Sequence, residues 1–310
     1  LQYLHKLFNF RETRQLDLSL MLLGYTFPVF MNPDFSPKAD ANIAEYETIL
    51  KLAHEAGFTA VDLSSGELDH FGGDTVNSLL MKYNLNAASI ILAEDYTCDI
   101  PDKQKEVANH TEYIIREAQK TGCKKIMLVA GATFSKTEKS ILQKNMLTNL
   151  KNAVKIAEKY NMQASIEEFP SILLPMCSSA EMEFLFENIP NLHMIYDSAN
   201  MLAVNESPVE YHNRFANRIN GYHIKDVVIC EDENSWGDLI ADHRKMQTVV
   251  PGDGIVDLKN LFAMANQIGY TGYLSVEYMP PFGELNVEKL KMIRERLVNT
   301  MNLSLFTDNL

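Results

Sequence analysis

Glu167, Asp197, His223 and Glu277 each stand at or near the C-terminal end of a short apolar run, and the four runs follow one another along the chain. The runs are Met162–Glu167, His193–Tyr196 with Asp197 behind it, the stretch R-I-N-G-Y-H-I-K-D-V-V from Arg218 to Val228, and Gly272–Glu277. Runs of this length read as buried parallel strands, whose side chains alternate between two faces. In the first run Met162, Ala164 and Ile166 form the outward apolar set, which turns Gln163, Ser165 and Glu167 the other way. That parity selects Glu167 over its neighbour Glu168. Asp197 shares a face with Ile195, His223 with Gly221, and Glu277 with Ser275. Three carboxylates and one imidazole meeting at strand ends would make a hard, oxygen-rich site for one divalent ion, suited to Mn2+, Mg2+ or Co2+ and tolerant of Zn2+. Without a cation the carboxylates would repel one another and be driven toward protonation.

Delivering four groups to one place requires a particular arrangement of elements. Earlier strands are predicted at Leu16–Leu23, Phe58–Leu63, Asn86–Leu92 and Lys125–Ala130, the first followed by a loop carrying Pro28, Pro33 and Pro37. Helical spacing predicts helices over Ala41–Ala56, Asp74–Lys82, Pro101–Thr121, Lys139–Tyr160, Ser179–Glu187, Ser207–Asn217, Val256–Ile268 and Asn286–Met301. Strict alternation of strand and helix demands a parallel sheet, because each crossover helix returns the chain to the same end. Eight such units, with no composition break between them, predict a single-domain (β/α)8 TIM barrel spanning residues 1–310, with residues 1–15 as a charged N-terminal arm. Barrels of this kind keep their chemistry at the C-terminal ends of the strands. The G-x-G-x-x-G fingerprint of dinucleotide folds is absent.

Composition narrows the partners. With 46% apolar residues and 22% charged, the 310-residue chain can bury a sizeable core and remain a soluble protein. A net charge of -13 excludes a surface built for nucleic acid, which needs clustered Lys and Arg. Cys98, Cys123, Cys177 and Cys230 show no C-x-x-C spacing and read as buried thiols in a reducing, cytoplasmic setting. No apolar run reaches membrane-spanning length; Leu16–Val29 is broken by Asp17, Gly24 and Pro28. The stretch from Cys230 to Gln247 is longer than the usual strand–helix connection of ~2–6 residues, and reads as a lid or as a contact in a homo-oligomer.

Five motifs then line up: S-I-E-E-F, Y-D-S-A-N, Y-H-I-K-D, V-P-G-D-G-I-V-D and L-S-V-E-Y. In order and spacing they resemble the xylose isomerase-like sugar phosphate isomerase/epimerase superfamily, in particular the group with 2-keto-myo-inositol isomerase and ketose 3-epimerases. Gly57–Asp62 is similar to that family's second strand. The resemblance implies a divalent metal held by Glu167, Asp197, His223 and Glu277. It also implies that Glu167 and Glu277 move the proton, so that a ketose-like carbohydrate is isomerised or epimerised through an enediolate. Asn200 stands where the family often has His, and Thr248-Val249-Val250 stand where it often has Arg. Both positions usually touch substrate, which marks Asn200 as substrate-binding and leaves a catalytically altered sugar-binding barrel, or a dehydratase of the same superfamily, as alternatives. The family's DNA-repair branch needs further histidines on strands two to four, which this chain lacks.

Of the remaining polar residues, Lys225 is expected to contact substrate oxygens, unless it simply pairs with Asp226. Asp253, flanked by Gly252 and Gly254, reads as a turn residue. Glu94 and Asp95 read as solvated.

Overall fold

The computed structural model describes residues 16–304 apart from 35, 37, 39, 131–136, 233 and 234, so the predicted N-terminal arm lies outside the described residues. The first half runs β1 (Asp17–Met21), α1 (Leu23–Phe30), α2 (Ile43–Glu55), β2 (Ala60–Ser64), α3 (Ser65–Phe71), α4 (Gly73–Lys82), β3 (Asn86–Glu94), α5 (Pro101–Lys120) and β4 (Lys125–Ala130). It continues with α6 (Lys139–Lys159), β5 (Gln163–Glu167), α7 (Ser179–Asn188), β6 (His193–Asp197), a 3-10 turn over Asn200–Val204, α8 (Pro208–Phe215) and β7 (Ile219–Ile224). Three short strands, β8 (Asp226–Cys230), β9 (Asp238–Leu239) and β10 (Lys245–Val249), precede α9 (Leu258–Gln267), β11 (Tyr273–Val276) and α10 (Val287–Ser304). Strands β1 to β7 and β11 close into a parallel barrel in the order β1-β11-β7-β6-β5-β4-β3-β2. The architecture predicted from strand–helix alternation is the one observed.

Alternation along each strand sorts the side chains into two populations. Leu18, Leu20, Val61, Leu63, Ala164, Ile166, Tyr222, Ile224, Leu274 and Val276 point outward and join the helices in one large core. Burying each of the larger aliphatic side chains stabilises the fold by roughly 1.5–3 kcal/mol. The inward population is layered. At the bottom, the Asp62 carboxylate accepts hydrogen bonds from the hydroxyls of Ser19 (2.5 Å), Ser275 (2.6 Å) and Ser89. Met21, Ile91, Met127 and Ile195 form a separate apolar cluster on the axis. Met21 and Ile91 stand two residues beyond Ser19 and Ser89, and Ile195 two residues before Asp197, so on β1, β3 and β6 this cluster lies between the polar floor and the strand ends.

Four local features depart from the sequence expectation. The stretch after β1 contains helix α1, with Pro28 inside it, where a loop was expected. Its residues are apolar on most sides, and at Pro28 the chain forgoes only one backbone hydrogen bond. Helix α3 is additional; its start is fixed by the Glu67 carboxylate, which accepts the Ser64 N–H at 2.8 Å and the Ser64 hydroxyl. The predicted seventh strand, Arg218–Val228, divides at Lys225 into β7 and β8. Finally, most of the long connection after it is an antiparallel sheet in the order β8-β10-β9. No helix among the described residues is long and apolar enough to cross a membrane.

Candidate metal centre

Each of the four strand-end groups is delivered by a different local device. Glu167 is the last residue of β5, on the face opposite Ala164 and Ile166. Asp197 ends β6, and its Oδ1 accepts the backbone N–H groups of Ala199 and Asn200, both at 2.7 Å, which turns the chain into the 3-10 segment. His223 lies in β7 in register with Asp197 on one side and Ser275 on the other. Glu277 follows β11 and is held by its own N–H on the Ile224 carbonyl at 3.0 Å. The result is one ligand atom from each of Glu167, Asp197, His223 and Glu277, all within 4.8 Å of one another.

Within the cluster, His223 Nδ1 lies 2.5 Å from Glu167 Oε1 and 3.5 Å from Glu277 Oε2. Glu277 Oε1 is 2.9 Å from the Lys225 ammonium. Burial opposes a charged imidazole, but Glu167 and Glu277 outweigh it and raise His223 well above its ordinary value. Burial likewise opposes the Glu277 carboxylate, and Lys225 with His223 holds it below the usual range. Asp197 is the exception. Burial pushes its carboxyl up, with Glu277 and Glu167 adding to the effect and Lys225 opposing it. Its Oδ2 is buried without a hydrogen-bond partner among the described residues. A buried carboxylate oxygen left unpaired costs free energy, and a divalent cation between Asp197, Glu167, Glu277 and His223 would remove that cost. The donor set and the orphaned oxygen together fit such an ion, with hard oxygen ligands and one nitrogen.

Around these four, the structure places the other candidate residues. Lys225 is buried and bound to Glu277 and to Asn200 Oδ1 at 3.1 Å. Asn200 is also buried; its Nδ2 donates to the Glu168 carbonyl at 2.7 Å, so both ends of its amide are used within the protein. Lys225 does not pair with Asp226. Instead the Asp226 carboxylate accepts the N–H groups of Gly252 (2.8 Å), Gly254 (2.9 Å), Val256 (3.0 Å) and Val227 (2.9 Å), anchoring the P-G-D-G loop. A Cβ on Gly254 would fall 2.2 Å from Asp226 Oδ1, so glycine is needed for that approach. Asp253 points away, to Arg296 at 2.6 Å. Glu94 is not simply solvated: it bonds to His110 Nδ1, while Asp69 takes the other ring nitrogen at 2.9 Å.

Ser198 and Asp238 were given no role from the sequence, and Glu168 appears there only as the neighbour that strand parity sets aside. Ser198 Oγ donates to the Lys225 carbonyl at 2.6 Å and accepts the Lys225 N–H at 2.8 Å, locking the chain where β7 gives way to β8. Glu168, although outside the cluster, is fully buried, and its Oε1 accepts the Asp197 N–H at 3.1 Å. Asp238 lies on β9, whose sheet packs through Val227, Ile240 and Met246 on Ala199 and Ala203, next to Asp197 and Asn200. None of the three has a local sequence signal; each depends on strands meeting in space.

Comparison with known proteins gives a consistent result. Residues 50–296 match the family model of the xylose isomerase-like TIM barrel. An inosose dehydratase of Clostridium beijerinckii is 27% identical over 89 residues, which is 28% of this chain and 30% of that enzyme's length. The aligned segment is thus under a third of the curated relative. Among solved structures, an L-ribulose 3-epimerase superposes with a TM-score of 0.72 at 13% identity, covering 94% of this chain and 96% of its own. The IOLI protein with a bound zinc atom superposes with a TM-score of 0.71 at 16% identity, covering 93% and 99%. At such identities the likeness is one of fold.

Proposed function

The chain belongs to the xylose isomerase-like TIM barrel family, and from that membership we propose that it is a divalent-metal-dependent isomerase or epimerase acting on a ketose or an inosose by proton transfer next to a carbonyl. The observation that carries this reading is the convergence of Glu167, Asp197, His223 and Glu277, with Asp197 Oδ2 unpartnered at its centre. These four residues would hold the ion, of which Mn2+, Mg2+ and Co2+ suit the donor set best and Zn2+ also fits. When bound, the ion would supply Lewis-acid stabilisation of the negative charge that develops on the substrate oxygen.

The protein's own groups do the rest. Glu167 and Glu277 both approach His223 Nδ1 and keep the most exposed side chains of the four. One removes the carbon-bound proton, and the other returns a proton to the opposite face or to the adjacent carbon. Return to the opposite face is epimerisation, and return to the adjacent carbon is isomerisation. Lys225 holds Glu277 in place and presents its remaining N–H donors to substrate oxygens. Asn200 contributes to substrate binding through Lys225, whose ammonium it fixes.

A second reading is favoured by the match to inosose dehydratase. The same proton abstraction would then be followed by loss of a hydroxyl from the neighbouring carbon, with one glutamate as the acid. Incubating the protein with Mn2+ and a panel of ketoses, inososes and their phosphates in D2O separates the cases. Solvent deuterium at carbon without loss of water supports the isomerase or epimerase; deuterium with loss of water supports the dehydratase. Sugar binding with no exchange across the panel would overturn both and leave a binding barrel.

A further inference from the structure

His223 Nδ1 faces the carboxylates, and its second nitrogen, Nε2, is buried with no hydrogen-bond partner among the described residues. A histidine that ligates through Nδ1 carries its proton on Nε2, and ligating histidines nearly always donate that proton to an acceptor that fixes the ring. Here no described protein group takes it. Leaving a buried donor unpaired costs about 1–3 kcal/mol.

His223 also lies on the wall of a cavity of about 230 Å3, with Asp62, Ser89, Ile195, Gly221 and Ser275 and with none of the three cluster carboxylates. It opens at the N-terminal face of the barrel, between Gly122 and Lys124 ahead of β4 and Gly272 ahead of β11. Gly221, two residues before His223 on the same inward face, lines this cavity beside Ile195, whose Cδ1 packs where a Cβ would fall, 2.4 Å away. Ser275 is the register partner of His223 across β7 and β11 and also points inward, with its hydroxyl on Asp62 Oδ2 at 2.6 Å. A void of this size with several polar groups on its wall is of the kind that holds ordered water.

We propose that a water held in this cavity accepts the His223 Nε2–H and is anchored by Ser275 and Asp62, making Ser275 and Asp62 positioning residues for the metal-binding imidazole. The barrel floor thereby orients the ligand from below, in the place where a carboxylate or carbonyl contacts the outer nitrogen of a ligating histidine in other metal sites. The chain reaches this through its lower polar layer, which the apolar cluster of Met21, Ile91, Met127 and Ile195 would otherwise cut off from the site. Ser19 provides the internal comparison: it donates to the same Asp62 oxygen at 2.5 Å but does not line the cavity.

The inference rests on the metal centre proposed above, and the test keeps the two apart. Mn2+ and Zn2+ affinities are measured for the wild type and for Ser275→Ala, Ser275→Thr and Ser19→Ala, each with a thermal unfolding curve to show that the barrel is intact. Ser275→Ala should weaken metal binding roughly 10-fold or more, Ser275→Thr should restore it, and Ser19→Ala should leave it unchanged. A crystal structure of the metal-loaded wild type should show a water about 3 Å from His223 Nε2 and within reach of Ser275. Unchanged affinity in Ser275→Ala, equal losses in Ser275→Ala and Ser19→Ala, or a dry Nε2 in the crystal overturns the inference while leaving the metal centre standing. A wild type that takes up neither ion removes the centre, and the inference with it.

Discussion

Glu167 and Glu168 are neighbours in the chain and part company at the end of β5: Glu167 Oε1 lies 2.5 Å from His223 Nδ1, whereas Glu168 Oε1 accepts the Asp197 N–H at 3.1 Å. A strand cannot turn two consecutive side chains to the same face, so substitution should separate them. Glu167→Gln keeps the shape and removes a charged ligand; metal affinity should fall by more than the 10–100-fold typical of an outer-shell change, and turnover should vanish. Glu168→Gln keeps an acceptor for Asp197 N–H and should leave metal content nearly unchanged. Metal titration of both variants decides it, and the reverse pattern would contradict the assignment of the two carboxylates.

Asp226 concentrates four backbone hydrogen bonds in one buried carboxylate. Asp226→Ala leaves those amides to whatever water can enter, and each one left dry costs about 1–3 kcal/mol. The variant should lose about 3 kcal/mol in urea unfolding, and activity should drop because Lys225 is the preceding residue. A loss below about 0.5 kcal/mol, the range of an ordinary surface change, would show that the loop is held by something else.

Glu67 ties the pH dependence of stability to helix α3. Burial raises its carboxyl from 4.5 to about 7, against hydrogen bonds from Ser64 and others that lower it. The folded protein therefore binds this proton more tightly than the unfolded chain. The stabilising contribution is fully present below pH 4.5 and is lost as the pH rises to about 7, a change on the order of 3 kcal/mol. Glu67→Gln should flatten the unfolding free energy across that window. If the variant keeps the wild-type slope, Glu67 is not its source.

His110 acts over a higher range. Hydrogen bonds that it donates to Asp69 and then Glu94 raise its imidazole from 6.5 to about 10, against partial burial. The raised value means a contribution present below pH 6.5 and lost as the pH climbs toward about 10. His110→Gln should remove that part of the decline and leave the lower window unchanged. Thermal unfolding at pH 6, 8 and 10 reports it, and identical curves for variant and wild type would exclude the contribution.

How much of this was legible beforehand differs by level. The barrel was, because strand–helix alternation admits few other sheets, and Met162, Ala164 and Ile166 fix the face of β5 without any tertiary information. Helix α3 has a signal in the sequence, since Ser64 and Glu67 are three residues apart, the spacing of a capping box. Helix α1 was obscured by Pro28, which ordinarily ends a helix. The break at Lys225 was hidden because Ile224 and Val227 keep a strand-like composition across it, while the turn depends on Ser198 from another strand. The β8-β10-β9 sheet could not be read because β9 has only two residues, Asp238–Leu239, and is held by pairing with β10. Of the residues around the site, those placed by strand parity could be named from sequence. Those placed by a hydrogen bond across the barrel, such as Glu168 on Asp197, could not.

The central claim, that the four strand-end groups form a metal site, is tested most directly by elemental analysis of purified protein alongside His223→Ala. The wild type should hold about one divalent ion per chain, as one cluster of ligands requires, and the variant should lose most of it while the barrel stays folded. Full metal occupancy in His223→Ala, or a wild type that remains metal-free after incubation with Mn2+, Co2+ or Zn2+, would contradict it.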